Sequence, residues 1–241
     1  MCDEINVCVP TGNFGNIFAA YLAKKMGLPI NKLICASNSN KILTDFFTTG
    51  KYDKNRDFYT TMSPSMDILI SSNLERLLYL IFGEVKTKDC MKQLADTGCY
   101  KISCQTRNKI GKDFVGMCCN EEETMATIKK IFDEDKYLCD THTAVALKCA
   151  KEYIENTGDK TQMVVASTAS PYKFASSVCR SLGLEVTDDE FECLSTLSSY
   201  TKTEIPVNLA SLKEKKVRFD KTIKADEMTD EVYSQLKINL K

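Results

Sequence analysis

The residues best suited to chemistry lie near the start of the chain, in a run rich in glycine and asparagine. A β-rich segment, Ile5 to Pro10, leads into the run Thr11-Gly12-Asn13-Phe14-Gly15-Asn16, and an apolar pattern with helical spacing follows. At such a turn the backbone N–H groups point outward, and the helix dipole places about half a positive charge beside them. Glycine lets an anion approach closely, while asparagine and threonine add neutral donors. A phosphate group is the natural ligand, although a tight turn without a ligand has the same spacing.

Two common nucleotide-binding loops differ from this run. The G-x-G-x-x-G dinucleotide fingerprint is absent, and no G-K-[ST] ending provides the lysine that meets a triphosphate. An unrelated Rossmann-like nucleotide binder would also carry an acidic residue about twenty positions after the glycines. Asp45 lies thirty positions beyond Gly15, inside an expected helix. The sequence therefore does not favour this alternative.

The elements around the run form a strand–helix–strand unit. A second apolar strand, Leu33 to Ala36, follows the helix, which Gly27 and Pro29 end. The apolar side chains that recur at helical spacing are Ile17, Phe18, Tyr21, Leu22 and Met26. Such a crossover joins parallel strands in a buried sheet. The sequence therefore predicts an α/β fold with a parallel sheet flanked by helices.

Similar patterns predict further elements along the chain. A helix is expected from Met66 to Gly83 because of its apolar stripe, and residues 50–64 are expected to be irregular. Met163 to Ala166 resemble a buried strand, and the Ser/Thr turn and helix after it repeat the arrangement of the first unit. The other expected elements are a strand over 114–119 and helices over 41–49, 86–97, 104–113, from Glu121 onward, 140–155, 172–182 and 226–240.

Composition and charge exclude several classes of protein. Lys and Arg number 32 against 33 Asp and Glu, a net charge of −1, which leaves no basic surplus for nucleic acid. The longest uncharged stretch, Ile5 to Ala23, contains proline, glycine and asparagine, so it is not expected to span a membrane. Met1 to Glu4 are acidic, unlike the basic start of a secretory signal. A cytoplasmic location is therefore expected.

The cysteines do not form a metal-binding pattern. The 12 cysteines show no C-x2-C spacing, and His142 is the only histidine. In a reducing compartment such thiols act as small buried hydrophobes, as the apolar runs around Cys8 and Cys35 indicate. The acidic triplet Glu121 to Glu123 suits the positive end of a helix dipole. No metal site is expected.

Four stretches, in order along the chain, resemble one enzyme family. They are V-P-T-G-N-F-G-N at 9–16, S-P-S-M-D-I-L-I-S-S-N-L-E-R-L-L at 63–78, D-T-H-T-A-V-A at 140–146 and S-T-A-S-P-Y-K-F at 167–174. The chain resembles the threonine synthases, which are pyridoxal 5'-phosphate (PLP) enzymes of the tryptophan-synthase β type. The resemblance implies PLP fold type II, with a PLP-binding α/β portion over residues 1–184 and a mainly helical C-terminal segment over 185–241.

The resemblance also implies roles for individual residues. Gly12, Asn13, Phe14, Gly15 and Asn16 match the loop whose backbone amides hold the cofactor phosphate, with Thr11 at its edge. Thr168 matches the hydroxyl that faces the pyridine nitrogen, where it cannot fix a protonated ring as a carboxylate would. The implied reaction converts O-phospho-L-homoserine and water into L-threonine and phosphate.

The lysine that carries the cofactor in this family has no counterpart in the sequence. In the family it holds PLP as a Schiff base, acts as acid and base, and lies in an aromatic-Lys-Asp motif well before the phosphate loop. Only ten residues precede Thr11, and the string Gly111-Lys112-Asp113-Phe114 lies after the loop in the wrong order. The chain is therefore expected to be a C-terminal part that needs an N-terminal half or a partner chain, and to be inactive alone. The alternative is a non-catalytic phosphate- or PLP-binding module, or one half of a split two-chain enzyme.

The same stretches contain residues with less definite roles. Many relatives carry a histidine where Ser170 stands. His142, near a helix start, is expected to be structural and bonded to the backbone or to a neighbouring threonine. Asp67 and Asn73 are candidates for orienting loops near the site, although a core helix explains their segment equally well. Lys173 matches a different family position from the missing lysine.

Overall fold

Four parallel strands form the centre of the fold. The computed structural model describes residues 3–238, and its strands are β1 (Ile5–Pro10), β2 (Ile30–Ser37), β3 (Lys51–Asp53), β4 (Cys99–Lys101), β5 (Phe114–Cys118) and β6 (Gln162–Val165). The parallel sheet has the order β5-β2-β1-β6, and β3 pairs with β4 in a separate antiparallel ladder. The predicted α/β fold with a parallel sheet flanked by helices is confirmed, and the first strand–helix–strand unit lies in its middle.

Helices connect these strands and cover the sheet. They are α1 (Gly15–Lys25), α2 (Ile42–Thr49), α3 (Leu74–Thr97), α4 (Cys104–Gly111), α5 (Glu121–Asp135), α6 (Thr141–Thr157), α7 (Ala175–Ser181), α8 (Glu190–Thr201), α9 (Val207–Ala210) and α10 (Met228–Gln235). Short 3-10 helices cover Pro64–Met66, Pro171–Phe174 and Ala225–Glu227. Local signals fix several of these starts: Asn120 and Glu123 form a capping box at α5, where the acidic triplet is expected to begin a helix.

Alternate residues of the central strands face two different cores. Val9 and Leu33 pack among the apolar side chains of α1, α2 and α3. Cys8 and Ile34 face the other way, into a core formed with α6. Because side chains alternate along a strand, a central strand covered on both faces reads as a continuous apolar run.

The segment before α3 differs from the predicted helix. The helix begins at Leu74 rather than Met66, and Ile70 is 52% exposed. Gly83 does not end it: its positive φ of 79° makes a kink, and the helical turns resume as far as Thr97. Between the 3-10 helix and α3, the side chains of Asp67 and Ser71 bond neighbouring loops. These tertiary bonds replace the helical ones that the apolar spacing predicts.

Two further expectations, one of burial and one of irregularity, were wrong. The sequence predicts a buried strand at 163–166, but β6 lies at the sheet edge and Val164 is 43% exposed. Residues 50–64, predicted irregular, contain β3, which with three residues is too short to show a period.

The chain divides into two compact units after Pro206. In the first unit, Cys193 and Leu197 of α8 are buried, and the Cys179 thiol of α7 donates to the Cys193 carbonyl at 3.5 Å. The second unit contains α9, the last 3-10 helix and α10. The helix expected over 226–240 is present as far as Gln235, and 239–241 lie outside the described residues. The sequence-based boundary between residues 184 and 185 stays a prediction.

Most cysteines are part of the cores. Eight of the eleven described cysteines are buried, including Cys8 and Cys35 as expected. Burial raises the pKa of Cys35 to about 12, so this thiol stays protonated at neutral pH. Within residues 3–238, no group of three or more His, Cys, Asp and Glu side chains could hold a metal ion.

No helix in the part of the chain that the structure describes is both long enough and apolar enough to cross a bilayer. The cytoplasmic location stays a prediction.

Candidate functional site

A cavity of about 330 Å³ opens where β1 and β6 end. Ligands of open parallel sheets bind in the crevice outside the carboxyl ends of the strands, so this is the expected place for a site. The glycine-rich loop and Thr168, the two parts of the site predicted from the sequence, both line this cavity, although about 150 residues separate them along the chain. Its lining residues are Pro10, Thr11, Gly12, Asn13, Phe14, Gly15, Asn16, Ser65, Met66, His142, Thr168, Ala169 and Lys173.

The glycine-rich loop presents unbonded backbone donors to the cavity. Among the described residues, no acceptor bonds the N–H groups of residues 12–16, and the first turn of α1 begins at Gly15. Phe14, just before it, has the left-handed φ of 66°. Such a left-handed residue turns successive N–H groups towards one point, which makes an anion-binding concavity. The loop therefore combines unbonded N–H groups with a left-handed residue, as anion-binding concavities do, and its binding of phosphate stays a prediction.

Aromatic packing holds Phe14 in this unusual conformation. A bulky residue rarely adopts a positive φ, because its Cβ crowds the backbone. The Phe14 side chain is only 1% exposed, and its ring centre lies 6.0 Å from that of Phe47 and 5.6 Å from that of Phe114. Burial of the ring offsets the backbone strain. The phenylalanine of the loop thus acts as an anchor for the turn.

Gly12 brings the loop into close contact with the 3-10 helix. A Cβ on Gly12 would lie 2.9 Å from the Ser65 carbonyl oxygen and 3.0 Å from the Met66 Cα. Both neighbours are backbone atoms, which cannot rotate away as a flexible side chain would. Only glycine therefore fits between the loop and this wall of the cavity.

Gly12→Ala is expected to lower the free energy of unfolding by about 1–3 kcal/mol, because the added methyl group forces two backbones apart. It should also weaken phosphate binding, since the displaced loop no longer aims its N–H groups together. Urea unfolding measures the first effect and phosphate titration the second. Gly111→Ala is the matched control, because its Cβ would meet nothing within 4 Å. Equal stability of the two variants would contradict the close contact.

Thr11 occupies the edge of the glycine-rich loop. Its N–H donates to the Ala36 carbonyl at 2.8 Å, and its hydroxyl donates to the Val9 carbonyl at 2.7 Å. The first bond joins the end of β1 to β2, the second returns to β1, and together they use the polar groups of Thr11 internally. Thr11 therefore shapes the loop more directly than it offers a donor to a ligand.

Thr168 and Lys173 form the opposite wall. Thr168 follows β6, is exposed to the cavity, and its hydroxyl bonds no described residue. Lys173 lies in the 3-10 helix after it, with its ammonium 5.4 Å from the centre of the Phe174 ring. It is the one lysine or arginine that lines the cavity within residues 3–238. The sequence identified Thr168 but gave Lys173 no role in the site.

His142 has a structural environment, as the sequence predicts. Its Nδ1 lies 3.1 Å from Asp140 Oδ1, and its Nε2 accepts the Ser65 N–H at 3.2 Å. Because Nε2 accepts, the proton belongs on Nδ1, which donates to the carboxylate. The ring is buried and contacts Phe174 at 4.7 Å between ring centres. His142 thus joins the start of α6 to the Ser65 wall of the cavity.

The Asp140 carboxylate fixes the position of His142 and caps α6. It is completely buried, caps α6 by accepting the N–H groups of His142 and Thr143, and also accepts the Thr143 hydroxyl. Burial alone would raise the pKa of Asp140, but the hydrogen bonds from His142 and Thr143 outweigh it and hold the pKa below its usual value. The carboxylate is therefore ionised at neutral pH.

Asp67 orients a neighbouring loop, one of the two roles considered from the sequence. Its Oδ1 accepts from the side chains of Asn38 at 2.7 Å, Asn40 at 2.9 Å and Thr61 at 2.7 Å, and its Oδ2 accepts the Thr61 N–H at 2.8 Å. These bonds join the end of β2 to the segment that carries Ser65.

Asn73 also bonds a loop, because its side chain donates to the Asn13 carbonyl at 2.7 Å. Ser170 caps the 3-10 helix by accepting the Tyr172 N–H at 3.3 Å.

Comparisons with known proteins show which sequences and structures this chain is similar to. The family model described as "Threonine synthase, C-terminal" matches residues 143–232. "Threonine synthase-like 1" of Homo sapiens is 42% identical over 202 residues, which are 81% of this chain and 26% of that protein.

Two solved structures share the fold. Threonine synthase from yeast superposes with a TM-score of 0.81 at 33% identity over 97% of this chain and 48% of its own. PLP-bound threonine synthase from Brucella melitensis gives 0.77 at 37% identity over 90% and 42%. The chain therefore spans less than half the length of each of these relatives. By sequence, fold and the four ordered stretches, it belongs to the threonine synthase family and corresponds to part of such an enzyme.

Proposed function

We propose that this chain supplies the phosphate-binding part of a PLP-dependent threonine synthase. The observation that carries the proposal is the cradle of unbonded N–H groups at residues 12–16, which opens into the cavity that Thr168 also lines. The threonine synthase of Brucella melitensis, with which this chain superposes, is described as PLP-bound. The proposed substrate is O-phospho-L-homoserine, and the proposed products are L-threonine and phosphate.

The residues present fit the cofactor. The N–H groups of residues 12–16 would bind its phosphate, because no acceptor among residues 3–238 bonds them. The hydroxyl of Thr168 would face the pyridine nitrogen as a neutral partner. When bound, PLP supplies an electron sink for proton loss from carbon. The chain's own contribution is to bind, orient and shield that group.

The proton transfers need a group from outside this set. Lys173 is the one lysine that lines the cavity within residues 3–238, and it does not match the aromatic-Lys-Asp motif of the family. We therefore assign the cofactor-bearing lysine to an N-terminal part of the enzyme or to a partner chain. Catalysis by this chain belongs to that larger assembly.

A second candidate is a binding module without catalysis. Two observations favour it: the sequence has no match to the lysine motif, and a relative in Homo sapiens is described as threonine synthase-like. Such a module would keep the phosphate cradle and lose the reaction. Phosphate binding is common to both candidates, whereas phosphate release from the substrate separates them.

Titration with inorganic phosphate is expected to shift the backbone amide NMR signals of Gly12 to Asn16 and to saturate, because these N–H groups have no other acceptor among residues 3–238. PLP should shift the same signals at lower concentration. Pyridoxal, which lacks the phosphate, is the control and should leave them unchanged. Unmoved loop signals, with shifts elsewhere in the protein, would refute the proposed phosphate site.

A further inference from the structure

Side chains from a distant segment donate hydrogen bonds to two backbone carbonyl groups of the glycine-rich loop. The hydroxyl of Ser71 donates to the Gly12 carbonyl at 2.8 Å. The side-chain amide of Asn73 donates to the Asn13 carbonyl at 2.7 Å, and the Asn73 backbone N–H donates to the same oxygen at 3.2 Å. Both donors lie about 60 residues from the loop in sequence, in the segment that the apolar spacing wrongly assigns to a helix.

Peptide geometry converts these bonds into an orientation of the donors. The described residues have no cis peptide bond, and in a planar trans unit the C=O of one residue points opposite to the N–H of the next. Fixing the Gly12 carbonyl therefore aims the Asn13 N–H the other way. In the same manner, fixing the Asn13 carbonyl aims the Phe14 N–H. Two of the five unbonded donors are thus set in direction by Ser71 and Asn73.

The Asn73 side chain bonds the loop instead of capping α3. Asn73 stands immediately before α3, where asparagine is among the best capping residues, yet its side chain makes no capping bond to the helix. The amide reaches the loop instead. A side chain that leaves a local bond unmade in favour of a distant one indicates a functional constraint on the distant partner.

Ser71 is held equally firmly. Its N–H donates to the Tyr52 hydroxyl at 2.7 Å, and that hydroxyl donates to the Leu69 carbonyl at 3.2 Å. The Tyr52 ring is buried and stacks on Tyr100 with 5.2 Å between ring centres. The serine hydroxyl is therefore presented to Gly12 from a rigid support.

We propose that Ser71 and Asn73 are positioning residues for the phosphate site, an inference that rests on the proposed function. They hold the Gly12 and Asn13 carbonyls away from the cavity, so that the N–H groups of Asn13 and Phe14 are aimed at a phosphate before it binds. Without them, each peptide unit can rotate and place a carbonyl oxygen where the anion lies. The site then loses both preorganisation and charge complementarity.

Ser71→Ala and Asn73→Ala are each expected to raise the Kd for inorganic phosphate by about 3- to 10-fold, the size of a typical net hydrogen bond. The Asn73→Ala effect should be the smaller one, because its backbone N–H still bonds the Asn13 carbonyl. Kd is measured by amide NMR titration of the whole chain, and PLP and pyridoxal arms distinguish phosphate recognition from ring recognition. Ser199→Ala is the matched control, because Ser199 is exposed on α8 and no bond joins it to the loop among the described residues.

A spectroscopic readout separates positioning from general loss of stability. Loss of the bond should move the carbonyl 13C signal of Gly12 in Ser71→Ala and of Asn13 in Asn73→Ala, without phosphate and with the rest of the spectrum unchanged. If the wild-type loop binds phosphate, any of three results would overturn the positioning role alone. These are carbonyl signals that do not move in the variants, shifts spread through the sheet, and a variant Kd equal to that of the wild type. A wild-type loop that does not respond to phosphate would overturn the proposed function as well. If Ser71→Ala does not fold, Asn73→Ala, at a partly exposed position, decides the question.

Discussion

The chain alone, supplied with PLP and O-phospho-L-homoserine, is expected to form threonine at a rate lower by roughly four powers of ten or more than a complete threonine synthase. The cavity offers a phosphate cradle and Thr168, but no lysine that matches the family motif. That lysine both carries the cofactor and moves protons, and each of these contributions is large. Phosphate release and threonine formation, followed together, measure the rate.

Adding a separately expressed N-terminal part of a threonine synthase, with its aromatic-Lys-Asp motif, is expected to restore phosphate release. In the restored pair, Thr168→Val should reduce the rate while phosphate still binds to the loop, because only the partner of the ring nitrogen is lost. Thr48→Val, on the exposed side of α2, is the matched control. Robust threonine formation by the chain alone would refute the missing-lysine argument. An inactive pair of folded, associated parts would favour the binding module.

Asp140→Ala is expected to lower the free energy of unfolding by about 3–5 kcal/mol. The substitution removes the cap of α6 and a buried carboxylate acceptor. It leaves the Thr143 hydroxyl with only the Ser167 hydroxyl at 3.3 Å, and the His142 Nδ1 with only the Thr141 hydroxyl at 3.3 Å. Urea unfolding at neutral pH measures the change. Ser103→Ala, which removes the exposed cap of α4, is the control and should cost about 1 kcal/mol. Equal losses in the two variants would contradict the role of burial.

The contribution of the Asp140 carboxylate to the free energy of unfolding is expected to depend on pH. Because hydrogen bonding holds the pKa of Asp140 below its usual value in the folded protein, the unfolded chain binds its proton more readily. The ionised group therefore contributes its stability in full above the unfolded pKa of about 3.9. That contribution is lost as the pH falls through the folded pKa. The stability difference between wild type and Asp140→Ala should be constant near neutrality and shrink below about pH 4. A difference that grew on acidification would contradict this prediction.

Much of the fold follows from local sequence signals. The glycine-rich turn between Pro10 and Ile17, the strands around it and the capping residues Asn120 and Asp140 act over a few neighbouring residues. Their interactions are the same in many tertiary contexts, so the α/β architecture could be predicted. The family resemblance of the four ordered stretches also assigned Thr168 and the loop to one site, and both line the same cavity.

The tertiary structure decided how the site is held together. Ser65, Ser71 and Asn73 reach their partners across about 60 to 77 residues, and no local period reports such contacts. The apolar spacing from Met66 to Leu74 predicts a helix because each residue's local preference is counted alone. In the folded protein the bonds of Asp67 and Ser71 to distant loops outweigh the few helical bonds available there. Local sequence determined the loop and its donors, whereas long-range hydrogen bonds determined where those donors point.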